Sequence, residues 1–332
     1  MKPILHLLIS LISLIPVLSC NGQKTFGSEQ LTLKQTISLP GVEGRIDHMD
    51  VDLRRRIIYI CALGNNSLEA VDLTSGKVLH SIKGLDEPQG TVYVPQTNEI
   101  MVANGGNGTC RFYNAETYKP TGSIELGSDA DDVRFDSTTK RIYVGYGEGG
   151  IAVIDATQHK MLSEANLPAH PEGFQLDKKL NRLFVNVPDA GKIIALNLSD
   201  LKIAAEWKSP HGANFPMALD EKHDIIFVGC RRPAKLVALN AETGQVITEL
   251  DLISDVDDLY FDSKTAKVYA SGGGGAINIF SYSASKFQLI ANIPTRSGAR
   301  TSLLVPSLGL FLLAERGNGG KPAQLQVYST KN

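Results

Sequence analysis

From residue 31 onward the chain is built of short apolar runs, alternating or continuous, broken every few positions by Gly, Asn, Asp or Pro; no window sustains a helical period. Runs such as "IIYICA", "RIYVGY", "RLFVNV" and "IIFVGC" carry the β-branched and aromatic residues that suit a pleated, half-buried surface. A polar or Pro anchor stands a few residues before each: Asp52, Pro95, Asp136, Asp177, Asp220, Asp262 and Pro306, spaced 43, 41, 41, 43, 42 and 44 residues apart. A second landmark keeps the same step, in "AVDLTSGK", "FYNAETYK", "VIDATQHK", "ALNLSDLK", "ALNAETGQ" and "IFSYSASK". There an apolar strand ends in Asp, Asn or Ser, whose side chain can bond the backbone of the turn that follows.

Each unit therefore predicts four strands: one like "DVRF", one like "IYVG", one like "AVID", and a fourth after the polar turn. A period near forty with four strands is the mark of a β-propeller blade, and seven anchors predict seven blades over residues 31–332. The seventh unit ends at "LQVYSTKN", one strand short, while "LTLKQTISLPG" at 31–41 stands alone before the first anchor. Donating that strand to the last blade closes the ring and leaves no open edge. An open solenoid of the same units would need capping repeats instead.

"RIIYICALGNNSLEAVDLTSGKVLHSIKGL" and "RIYVGYGEGGIAVIDATQHK" resemble the YVTN-type seven-bladed propeller repeats of bacterial envelope proteins. The resemblance covers residues 31–332 and implies the fold and an envelope setting rather than one activity. Two blades depart from it, with Pro95 in place of the usual Asp in the second and "NVPDAGK" in the fourth.

The opening "MKPILHLLISLISLIPVLSC" has one Lys, an apolar run and Pro16 just before its end, which reads as a secretory signal too short for a membrane span. Val17-Leu18-Ser19-Cys20 resembles the lipobox of bacterial lipoproteins. That likeness implies a signal peptide over 1–19, an acylated Cys20, a polar tether over 20–30 and, with Asn21 rather than Asp after the cysteine, an outer-membrane destination. Ordinary secretion with an unmodified Cys20 is the alternative. Removing Lys2 with the signal leaves 32 basic residues against 35 acidic, so no overall field would grip nucleic acid or anionic lipid. Membrane contact is expected through the anchor alone, and the protein is expected to be a monomer. Cys61, Cys110 and Cys230 are odd in number and lack a C-x-x-C pair, which favours buried free thiols over zinc. One Cys61–Cys110 bridge is the alternative.

The chain spells nearly the same acidic stretch twice, "SDADDVRFD" at 128–136 and "SDVDDLYFD" at 254–262. Both fall where the last strand of one blade leads into the innermost strand of the next, at one mouth of the central channel. Five residues before the anchors stand Asp47, Gly90, Asp131, Glu172, Phe215, Asp257 and Thr301; four before stand His48, Thr91, Asp132, Gly173, Pro216, Asp258 and Ser302. Just upstream come Arg45, Gln89, Asp129, His170, Asn214, Asp255 and Arg300. The glycine-rich loops between second and third strands add Glu148, Arg231, Arg232, Glu315 and Arg316 on the same face.

Oxygen-rich clusters suit Ca²⁺ or Mg²⁺, which makes Asp131, Asp132, Asp257 and Asp258 candidate metal ligands; capping of loop amides by Asp is the competing explanation. His48, beside Asp47, and His170, two residues from Glu172, are candidate general bases, with Glu172 as a third catalytic candidate. Such His–Glu pairs at a propeller mouth are similar to those of the metal-using streptogramin lyases, in residue type and fold only. Arg45, Asp47, His48, Gln89, Glu172, Asn214 and Arg300 are the expected ligand-binding set. No G-x-S-x-G and no phosphate-cradling G-x-x-x-x-G-K occurs. Three functions fit: binding of a small polar ligand, an ion or an envelope protein at the mouth; a metal-assisted lyase or lactonase on the same rim; or an interaction scaffold using the blade edges.

Overall fold

In the computed structural model, which describes residues 28–283, 286–317 and 320–331, the strands form seven antiparallel sheets of four. The expected signal, Cys20 and the start of the tether lie outside the described residues. The first blade comprises Met49–Asp52, Ile57–Ala62, Ser67–Asp72 and Lys77–Lys83, counted from the channel outward. In the last, Ser302–Val305, Leu310–Glu315 and Gln324–Thr330 are completed by Leu31–Ser38, which pairs from Leu31 opposite Thr330 to Ser38 opposite Gln324. The ring is closed by its own N-terminal strand, and this all-β architecture is a seven-bladed β-propeller.

Stability comes from between the blades. Seven apolar clusters fill the seven blade–blade interfaces, and the second strands are buried along most of their length, wholly so in Ile57–Ala62 and Glu99–Asn104. Continuous apolar runs are what a strand buried on both faces requires. At the closure, Ile37 and Leu39 from the N-terminal segment join Ile58, Ile60 and Val71 of the first blade in one cluster. Cys61, Cys110 and Cys230 are buried free thiols, and the disulfide alternative does not form.

The repeated polar positions are turn caps. Asp52 Oδ1 accepts the N–H groups of Arg54 and Arg55, and Asp136, Asp177 and Asp262 do the same for Thr138, Leu180 and Lys264. The second landmark repeats the device at Asp72, Asn114, Asp155 and Asn240. A feature absent from the sequence reading recurs in every blade: one extra residue in the outermost strand, opposite the third. Leu79, Leu162 and Ile247 occupy such bulges, and all three are exposed. A bulge bends and twists the strand, so the outer rim offers no flat edge for pairing with another chain.

Candidate functional site at the channel mouth

The innermost strands surround a cavity of about 910 Å³ along the central channel. Asp47, Asp131, Glu172 and Asp257 line one end, with His48, Asp132 and Asp258 a step further in; Leu53, Arg54, Asn98 and Ser137 line the other end. Both acidic stretches therefore open on one mouth, as the repeat offsets predicted. Because side chains alternate along a strand, the positions two residues before the anchors point the same way as those four before. Asp50, Tyr93, Arg134, Gln175 and Tyr260 duly line the cavity. The sequence reading stopped one strand period short of them.

Several of these polar groups lace neighbouring blades together. Asp50 accepts the Tyr93 N–H at 2.6 Å, Asp258 Oδ2 accepts the Ser302 N–H at 2.6 Å, and the Gln175 amide donates to the Met217 carbonyl at 2.8 Å. The Tyr260 hydroxyl donates to the Ser302 carbonyl at 2.7 Å. Gly90 interrupts the acidic ring for a steric reason: a Cβ there would lie 2.0 Å from the Asp131 carbonyl oxygen. Gly173 is under the same pressure, with the Phe215 carbonyl 2.7 Å from the position its Cβ would take.

The carboxylates are unequally compensated. Asp257 is gripped twice, by Arg231 Nη2 at 2.5 Å and Arg300 Nε at 3.0 Å, and the Arg231 guanidinium lies 3.9 Å above the Phe215 ring. Asp132 pairs with Arg134 and accepts the Val133 N–H. Arg45 Nη2 lies 2.7 Å from Asp47 Oδ2, and the Asp47 side chain is only 2% exposed. Asp131 Oδ1 is buried without a hydrogen-bond partner. Among the described residues no three His, Cys, Asp or Glu side chains converge as a metal centre would require.

Histidines occupy the gaps. His48 Nδ1 stands 3.5 Å from Asp258 Oδ1, and its Nε2 stands 3.8 Å from Asp47 Oδ1. His170 contacts the Gly147 carbonyl through Nδ1 at 2.6 Å, with Asp129 at 3.5 Å and Asp131 at 3.8 Å. Burial alone would lower the His48 pKa, but Asp258, Asp132 and Asp47 overcome it and hold it well above the ordinary value. His170 likewise rises to about 9 against the opposing effect of burial, through Asp131, Gly147 and Asp129. Both shifts favour the imidazolium form, a proton donor, beside the general-base role expected of His48 and His170. The proton balance shifts to the acids: burial, then the Asp131 charge, pushes Glu172 up to about 8. Burial raises Asp47 as well, with Asp131 and Asp257 adding to it, while His170 and His48 keep Asp131 low.

The remaining expected residues divide. Arg300 reaches Asp257 and also bonds Asp255 at 3.1 Å. Gln89 donates to Asp129 at 2.9 Å on the outer rim. Asn214 is fully buried, its amide donating to Asn186 Oδ1 and the Lys192 carbonyl, so it braces blade packing and faces no ligand. Of the residues expected in the glycine-rich loops, Arg231 instead lies at the end of the strand Ile225–Arg232 and belongs to the site, whereas Glu315 ends the strand Leu310–Glu315 and is buried against Arg296 at 3.3 Å.

No family model matches the chain, and no curated protein matches it in sequence. Solved structures match its shape. A chain of the mitotic checkpoint complex superposes with a TM-score of 0.76 at 14% identity, over 100% of this chain and 99% of that one. The RRP9 WD40 repeats give 0.76 at 9% identity over 93% and 99%, and U3-55K gives 0.75 at 9% identity over 91% and 99%. At such identities the likeness is one of fold: the chain shares the propeller architecture of these proteins.

Proposed function

We propose that the protein is an exported, lipid-anchored propeller whose channel mouth binds a small polar molecule carrying a positive charge, an organic ammonium. The observation that carries this reading is the buried Asp131 Oδ1, which has no hydrogen-bond partner and shares one cavity with Asp47 and Glu172. Glu172 and Asp47 hold their protons into the neutral range because burial and neighbouring carboxylates disfavour ionisation. An ammonium among them supplies three donors, one of them for Asp131 Oδ1. Ca²⁺ demands six or more oxygens, and of the four expected ligands Asp257, Asp132 and Asp258 already bind Arg231 and Arg300, Arg134, and the Ser302 N–H. An ammonium therefore fits the donor set better than Ca²⁺ or Mg²⁺.

Binding of a cation favours ionised Glu172, so affinity and proton release are linked. Calorimetric titration with n-butylamine should give binding about tenfold tighter at pH 8.5 than at 6.5, with a proton released at the lower pH. Absence of binding by butylamine, putrescine and spermidine alike would end this reading. The lyase or lactonase alternative needs a proton acceptor on the rim, and Glu172 suits that part better than the two imidazolium groups. The scaffold alternative draws on the fold neighbours, one of which belongs to the mitotic checkpoint complex. Exposed large apolar side chains such as Leu33, Leu79, Leu162, Ile203, Ile247 and Leu289 are spread over six blades, one or two to each, rather than gathered in a docking patch.

A further inference from the structure

Beside the channel mouth lies a second, smaller recess of about 270 Å³, between the last blade and its two neighbours. Its lining is opposite in character to that of the channel: three guanidinium groups, Arg45, Arg300 and Arg316, stand against one carboxylate, Asp255. Arg300 takes Asp255 at 3.1 Å and Asp257 at 3.0 Å. Arg296 takes Glu315 instead, and among the described residues no carboxylate lies within 4.0 Å of Arg316. Arg45 lines both spaces, so recess and channel mouth are adjacent, and it pairs with Asp47, which lines the channel but not the recess.

Planar guanidinium groups present paired N–H donors at the spacing of a carboxylate's two oxygens, and such charge-assisted pairs are among the strongest hydrogen bonds available. Arg316 is exposed and Arg45 half-exposed, so both can turn toward a ligand with little rearrangement. A positive recess abutting a negative channel mouth matches one molecule bearing both charges.

We infer that the recess is the carboxylate subsite of the same binding site, so that the ligand is a zwitterion, with its ammonium among Asp47, Asp131 and Glu172 and its carboxylate among Arg45, Arg300 and Arg316. This rests on the ammonium reading above and narrows it to amino-carboxylates: amino acids, ω-amino acids or short peptides.

The test is a matched pair of probe series on the purified protein: straight-chain ω-amino acids from glycine to 6-aminohexanoate, and n-alkylamines of the same carbon counts. At the chain length that spans the two spaces, the amino acid should bind about tenfold more tightly than the amine, the gain expected of one charge-assisted pair. Arg316→Gln should erase that advantage and leave amine binding unchanged; the amine also reports that the variant is folded. Amine binding with no carboxylate advantage at any length, or an advantage that survives Arg316→Gln, overturns the inference while leaving the ammonium site standing. If neither series binds, the ammonium reading has failed and the inference falls with it.

Discussion

Replacing Glu172 by Gln keeps shape and hydrogen-bonding capacity but removes the charge. Its folded pKa, raised from the ordinary 4.5 to about 8, means that the folded state prefers the protonated acid. Stability contributed by that preference is fully present below the unfolded pKa and is lost as pH rises through 8. At about 1.4 kcal/mol per pH unit the ceiling is about 5 kcal/mol. Water in the open channel mouth screens the charge, and roughly 2 kcal/mol is a realistic share. With an unfolding entropy of about 2.1 cal/mol/K per residue over roughly 300 residues, that corresponds to about 3 °C in melting temperature. The assay is differential scanning fluorimetry of wild type and Glu172→Gln from pH 5 to pH 9 at constant ionic strength. The two should melt nearly together at pH 5, and the variant should be about 3 °C more stable at pH 9. A difference that does not change with pH, or a variant less stable throughout, would refute the burial-driven shift of Glu172.

Asp257→Asn removes the carboxylate that holds both Arg231 and Arg300, and should lower stability at pH 7 by roughly 2 kcal/mol, about 3 °C, in the same melting assay. Ile37→Ala, at a side chain only 1% exposed in the closing strand, should cost about 3 kcal/mol in a urea titration, with an unchanged slope if the ring still unfolds as one unit. Removal of metal by EDTA followed by millimolar Ca²⁺ should move the melting temperature by less than about 1 °C, since arginines already occupy Asp132 and Asp257, two of the four acids a calcium ion would need. A rise of several degrees would restore the metal reading.

The fold was legible because its repeat is written in turn chemistry: the anchor aspartates and the Asp or Asn that closes the third strand recur where a capped turn is needed. Counting back from those anchors also collected Asp47, His48, Asp131, Asp132, Glu172, Asp257 and Asp258 onto one cavity. What stayed hidden depends on geometry across blades. Arg231 reaches Asp257 from the end of the second strand of the preceding blade, and no short-range pattern marks so long a side chain's destination. Arg134 and Asp50 lay one strand period beyond the offsets counted. Asn214 carries the same polar signal as its rim neighbours, yet packing between the fourth and fifth blades buries it entirely. The outer bulges follow from residue-by-residue pairing between third and fourth strands, which spacing alone does not determine.

A ring with seven identical carboxylates at one mouth would repel itself apart, so the departures from the repeat are what make the site feasible. The blades that lack an acid five residues before the anchor serve the blades that have one. Gly90 in the second makes room for the Asp131 carbonyl of the third. Phe215 in the fifth lies beneath Arg231, which pairs with Asp257 of the sixth. Beside Thr301 in the seventh, Arg300 completes the clamp on Asp257, while the Thr301 hydroxyl donates to the Ile46 carbonyl across the ring closure. The sixth-blade acid is thereby neutralised by arginines, and the acids left to Arg45, His48 and His170 stand on the first, third and fourth blades, at Asp47, Asp131 and Glu172. The repeat supplies equivalent positions around a channel; its irregularities gather Asp47, Asp131 and Glu172 on one arc of the rim, where the unpartnered Asp131 Oδ1 is the acceptor a cationic ligand would complete.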